Sequence, residues 1–171
     1  MKQLFGFFLS FLLLAMASFG QTNTTTSQKK EFKGMITNEQ LFRTLIEQGF
    51  GKGDTTVFDK YASPDFIEHQ YGFDPPNAEG VKKSILSLRA SFADISFTIE
   101  ELITHDDKVW GRMTVRGTQT GQFGPLPPTG KKFEITVIDI MRFKNGKLVE
   151  HWGVPDRFAL MNQLGMIPPQ K

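Results

Sequence analysis

Apolar residues fall on two different periods along this chain. From Thr37 to Phe92 they recur at steps of three and four, and from Asp94 onward at every second residue. The first period predicts helices and the second predicts half-buried strands. Thr37 with Gln40 makes a capping box ahead of a helical stripe of Leu41, Leu45 and Ile46, and Gly49, Gly51 and Gly53 end that helix. Asp54 caps a second short helix through Tyr61, with Val57 and Phe58 inward. Pro64 opens an extended piece, Asp65 to Tyr71, and a Pro-rich turn leads to Asn77. Asn77 caps a third helix with Val81, Ile85, Leu88 and Phe92 facing the core. Ile95, Phe97 and Ile99 then alternate with polar residues until Glu100 and Glu101, where a bulge is predicted. After a turn at Asp106 and Asp107 come a strand from Val109 to Gln119, a Gly- and Pro-rich loop from Gly121 to Gly130, and a strand from Lys131 to Phe143. Asn145 and Gly146 form a two-residue hairpin turn, with Lys147 to Val154 as the partner strand. Pro155 and Asp156 start a last helix that Gly165 stops. Helices followed by an antiparallel meander predict an α+β fold, a curved sheet wrapped over the helices.

The hairpin turn sets a register. If the pairing is regular, Phe143 meets Leu148, Met141 meets Glu150, Asp139 meets Trp152 and Val137 meets Val154. Directly opposed residues share a face. One face then carries Phe133, Ile135, Val137, Asp139, Met141 and Phe143 with Leu148, Trp152 and Val154, and Asp139 is the acid among apolar side chains on its strand. Such an aspartate is either satisfied by a buried amide or arginine, or is a desolvated pocket acid or base that trades protons near neutrality. In the preceding strand the odd positions are the apolar ones, so Met113 shares the interior with Val137. Gln119 closes that odd series, either orienting a ligand carbonyl or hydroxyl or ending the strand at the surface. In a regular strand His151 faces away from Trp152, which argues against an Asp139–His151 pair. His69, near the end of the extended piece, and His105, beside a turn, read as structural or exposed.

Residues 1–20 have a different pattern. Lys2 precedes an apolar run from Leu4 to Met16, and Ala15 and Ala17 stand in A-x-A spacing before Ser18 and Gly20. That order predicts a cleaved secretory signal peptide. The run, about thirteen residues, is shorter than the roughly twenty a bilayer requires, so stable membrane insertion after cleavage is not expected. Residues 21–36 read as a flexible polar leader, and residues 37–168 as one domain. The product is expected to be secreted or periplasmic. The chain has no cysteine, hence no disulfide framework, and three scattered histidines without metal-ligand spacing. A net charge of +2 argues against a nucleic-acid partner. No nucleophile elbow, dinucleotide fingerprint or P-loop is present. Enzymatic chemistry in such a chain falls to carboxylates and amides in an apolar pocket, with no metal or cofactor.

The segments Ser63 to His69, Asn77 to Val81, Leu88 to Asp94 and Gly117 to Gly121 resemble those of SnoaL-like proteins. So do Pro127 to Lys131, Ile138 to Ile140, Asn145 to Lys147, Glu150 to Trp152 and Asp156 to Gly165. They run in family order from residue 37 to 168. The resemblance, to the SnoaL-like polyketide or ester cyclases of the nuclear transport factor 2-like superfamily, implies a cone around a deep pocket, often in a homodimer. It also implies ring closure by intramolecular aldol condensation, with an aspartate as general acid/base and no cofactor. That role would fall on Asp139. His69 matches a recurrent family histidine near the pocket and is a second catalytic candidate. Gln119 stands where many members have histidine. Gln119, Trp152, Met113 and Val137 are candidate substrate-binding residues, and His151 would be structural or at an interface. An export signal is a departure from cyclases that work beside cytoplasmic synthases.

The expected function is an exported protein binding a small apolar carbonyl- or ester-bearing molecule, as a cyclase, isomerase or hydrolase. Two alternatives share the fold. One is a non-catalytic binding protein. The other is a dimeric interaction module with a vestigial pocket and an exposed apolar patch, from Ile138 and Ile140 on the outer face.

Overall fold

The computed structural model describes residues 36–167. The expected signal peptide and leader, residue 36 apart, lie outside the described residues, as does Pro168. The capping box forms as expected: Thr37 Oγ1 accepts from the Gln40 amide at 3.1 Å, and Gln40 Oε1 accepts from the Thr37 amide at 2.9 Å. It opens α1 (Asn38–Thr44). The glycines do not end this helix at once. Its hydrogen-bond ladder widens to a π-helical turn over Leu45–Gly51, which buries Leu45, Ile46, Gly49 and Phe50. Asp54 Oδ1 accepts from the Thr56 amide at 3.1 Å at the start of α2 (Thr56–Tyr61).

The extended piece is strand β1 (Ala62–Glu68), beginning before Pro64 rather than after it. The sheet order is β1-β5-β4-β3-β2, so β1 is an edge strand, where a proline's missing N–H is tolerated. It runs parallel to β5, not antiparallel, with an irregular register between Ala62 and Ile67. Asn77 caps α3 (Ala78–Ser91) by accepting from the Glu79 and Gly80 amides. The meander follows: β2 (Ser96–His105), β3 (Lys108–Thr118), β4 (Lys132–Lys144) and β5 (Lys147–Pro155). Then comes α4 (Arg157–Leu164), capped by Asp156 and stopped by left-handed Gly165 at φ 79°. The β2 bulge lies where Glu100 and Glu101 break the alternation.

The helices and the inner face of the sheet share one core, with Leu41, Phe42, Leu45, Val109 and Met113 fully buried. Gly111 is a necessity of this packing. A Cβ there would strike the ring of Phe42, so only glycine lets α1 lie this close to β3.

Register on β5 departs from the regular hairpin. Lys144 pairs with Lys147 and Phe143 with Leu148, but Arg142 then pairs with Glu150, leaving Val149 as an extra residue. Beyond this bulge every β5 side chain changes face. Met141 pairs with His151, Ile140 with Trp152 and Asp139 with Gly153. Trp152, Val154 and Glu150 therefore belong to the outer face, and His151 to the inner face. The expectation of an inward Trp152 and an outward His151 is corrected by one inserted residue.

Candidate active site

Asp139 sits where strand parity on β4 places it, on the inner face and 5 % exposed. Behind it lie two further buried ionisable groups. His151 is 3 % exposed and Glu68 is 3 % exposed. His151 Nδ1 donates to Glu68 Oε2 at 2.7 Å. Its Nε2 lies 3.4 Å from Asp139 Oδ2, a charge–charge contact longer than a good hydrogen bond. Glu68 Oε1 accepts from the Gln70 amide at 2.7 Å, which closes the tail of β1 around the glutamate. Burial alone opposes a charge on His151. The negative charge of Asp139 and the hydrogen bond and charge of Glu68 outweigh it and hold the imidazole up at about 10. Asp139 Oδ1 is buried without a hydrogen-bond partner.

Asp139 lines a cavity of about 470 Å³ between the inner face of the sheet, α3, α4 and the loop after β3. This lies within the range of small-molecule sites, roughly 300–1,000 Å³. Six phenylalanines line it: Phe50, Phe73, Phe92, Phe97, Phe123 and Phe133. Asp139 and His151 are its buried charged groups, while Gln70, Tyr71 and the exposed Arg157 bring polar atoms to the wall. Arg157 donates to the Tyr71 carbonyl at 2.6 Å, tying α4 to the segment after β1. Gly153, opposite Asp139, leaves room for Gln70. A Cβ there would collide with the Gln70 amide and lie 3.0 Å from Asp139 Oδ1.

The other expected residues are placed differently. Val137 lines the cavity, but Met113 is fully buried in the core beside it. Gln119 is also fully buried and is neither a surface residue nor a cavity-wall residue. Its Nε2 donates to the carbonyls of Gly121, Leu126 and Pro127, and its Oε1 accepts from Thr129 Oγ1 at 2.5 Å. With both ends of its amide engaged, Gln119 fastens the loop that carries Phe123. His69 stacks on Trp152 on the outer face, with ring centroids 4.6 Å apart and planes 3° from parallel. Neither lines the cavity, because β1 alternation turns Phe66 and Glu68 inward and His69 outward, and the bulge turns Trp152 outward. Arg142 and Glu150 pair at 3.3 Å beside them.

The sequence reading missed Glu68 and His151 as site residues. Glu68 had a signal, since Phe66 and Glu68 are two residues apart on one strand face. His151 had none, because nothing in Lys147 to Val154 marks the bulge.

Comparison with known proteins decides the family. The model of the SnoaL-like polyketide cyclases matches residues 40–164. The chain belongs to this family. It is 26% identical over 137 residues to the aklanonic acid methyl ester cyclase DnrD of Streptomyces peucetius, covering 77% of this chain and 92% of that protein. To the nogalonic acid methyl ester cyclase of Streptomyces nogalater it is 26% identical over 123 residues, covering 68% and 89%. Among solved structures, TsrD from Streptomyces laurentii superposes with a TM-score of 0.68 at 27% identity, over 75% of this chain and 95% of that one. AclR from Streptomyces galilaeus does so with a TM-score of 0.69 at 26% identity, over 78% and 83%. The fold is therefore the nuclear transport factor 2-like α+β cone of this family.

Proposed function

We propose that the protein is a cofactor-free acid/base enzyme acting on a small apolar carbonyl- or ester-bearing molecule, with Asp139 as the general base. The observation that carries this reading is Asp139, whose buried Oδ1 has no donor, among the residues lining a phenylalanine-rich cavity. A C–H bond next to a carbonyl is weakly acidic, and a carboxylate held against it in a water-poor site is a suitable base. Asp139 takes that proton and the electron pair moves onto the carbonyl as an enolate. For ring closure, the enolate carbon bonds to a second carbonyl of the same molecule, and the resulting alkoxide regains the proton from Asp139. The ester cyclases among the relatives support this reaction class. An open cavity, as against a filled one, favours it over a vestigial pocket.

Two further readings concern the whole protein. Export through residues 1–20 is supported by their charge and apolar pattern. A homodimer is supported by an apolar row across the outer face, where Ile103, Trp110, Ile140 and Trp152 are successive cross-strand neighbours. Trp110 is 45% exposed and Ile138, nearby, is 44% exposed.

The test of the enzymatic reading is a thermal-shift and turnover screen of small ketones, lactones and esters with wild type, Asp139→Asn and Asp139→Ala. Turnover lost in both variants, with ligand stabilisation kept in Asp139→Asn, is the expected result. Stabilisation without turnover in any variant favours a binding protein instead.

A further inference from the structure

The base proposed above makes no use of the buried pair behind it. Glu68 is the anomaly there. It is a buried glutamate on an edge strand, and both its oxygens are engaged, Oε2 by His151 Nδ1 and Oε1 by the Gln70 amide. A glutamate needed only for packing would be better replaced by an apolar side chain, because burying charges costs more than their attraction returns unless the geometry is good. Here the geometry is good on one side and open on the other. A carboxylate has no proton to give, so His151 Nδ1 carries the proton of the 2.7 Å bond. That bond fixes the plane and direction of the ring and turns Nε2 toward Asp139 Oδ2, 3.4 Å away.

We propose that Glu68 is a positioning residue, which by holding His151 as an imidazolium against Asp139 Oδ2 leaves Asp139 Oδ1 as the oxygen that meets the substrate. The proposal rests on the reading of Asp139 as the base. The arrangement has a chemical consequence. Two carboxylates around one imidazolium leave one net negative charge, with the cation set on the Oδ2 side of Asp139. When Asp139 takes a proton from substrate, the imidazolium stays opposite the second carboxylate, Glu68, and is not left as an unpaired buried charge. The groups facing the ring are Glu68 from β1 and Asp139 from β4. Glu150 and Arg142 pair with each other on the outer face, His69 is stacked there on Trp152, and Arg157 lies exposed on α4.

The experiment is nitrogen-15 NMR of the ring nitrogens in histidine-labelled protein, comparing wild type with Glu68→Gln and assigning His151 by the signal lost in His151→Gln. The chain has three histidines, so the assignment is direct. Wild type is expected to show both His151 ring nitrogens protonated at about pH 8, well above the ordinary histidine value of about 6.5. Glu68→Gln is expected to shift the ring's titration toward that value and to lower kcat more than it changes KM. A neutral His151 ring in wild type overturns the positioning role alone, and it does so even if Glu68→Gln fails to fold. A ring titration and kcat unchanged in a folded Glu68→Gln overturn it as well. Turnover that survives Asp139→Asn overturns the functional reading and this proposal with it.

Discussion

Asp139 Oδ1 is a buried polar atom left without a partner, on a residue that lines a phenylalanine-rich cavity. A buried unpaired acceptor costs about 1–3 kcal/mol, a cost that folding alone gives no reason to keep. Ligand binding gives one. Gly153 bears on that ligand through Gln70, a cavity-lining residue that any Cβ at Gly153 would push aside, 3.0 Å from Oδ1. Gly153→Ala is therefore expected to weaken ligand stabilisation in a thermal-shift assay while the unliganded melting temperature changes little, because Gln70 is a flexible side chain that moves aside. His151 makes a prediction about pH. Its folded value, about 10, lies above the ordinary 6.5, so its contribution to stability is complete below 6.5 and is lost as pH rises toward 10. Denaturant unfolding of wild type across that window should show stability falling with pH. His151→Gln should flatten this slope, and a slope unchanged in that variant contradicts a charged buried His151.

At the scale of elements, two loops of backbone decide where the side chains point. One is the single-residue bulge at Val149. Deleting Val149 closes the bulge and leaves Arg142 opposite Glu150, Met141 opposite His151 and Ile140 opposite Trp152, so His151 stays inward and Trp152 outward. This variant should fold and keep the wild-type His151 ring signal, and a lost signal contradicts the bulged register. The other is the segment from Thr120 to Lys131, fastened by Gln119. Gln119→Ala leaves the Gly121 and Pro127 carbonyls without a partner and removes one from the Leu126 carbonyl and the Thr129 hydroxyl, a loss of about 1–3 kcal/mol, and should speed amide exchange in that segment selectively. These elements also mark how far the sequence alone is readable. Helix caps at Thr37, Asn77 and Asp156, the turn at Asn145 and Gly146, and the break at Glu100 follow from local chemistry, and each is in the structure. Asp139 was legible because β4 is regular from end to end. His151 and Trp152 were not, because a bulge carries no local signature in this strand and reverses parity beyond itself. Gln119 was misplaced because its partners are backbone carbonyls, which no side-chain pattern reveals. Glu68 was readable from Phe66, and passed over beside the more familiar His69.

At the scale of the molecule, the two faces of the sheet have different uses. The inner face closes the core and the cavity. The outer face leaves Trp110, Ile138 and Ile103 exposed, more contiguous apolar surface than scattered solvent-facing residues require. If this face joins two copies, sedimentation of the mature protein should show a dimer and Trp110→Asp a monomer of unchanged fold. A wild-type monomer at high concentration contradicts it. Among the described residues no helix is long and apolar enough to cross a membrane. Removal by Asp139 of a proton next to a carbonyl is measurable without knowing the natural substrate. Ketones and esters that stabilise the protein are incubated with it in deuterated water, and exchange of their α-protons is followed by NMR. Wild type should speed that exchange, and Asp139→Asn should bind the same molecules without doing so. Exchange at equal rates in the two proteins contradicts the account.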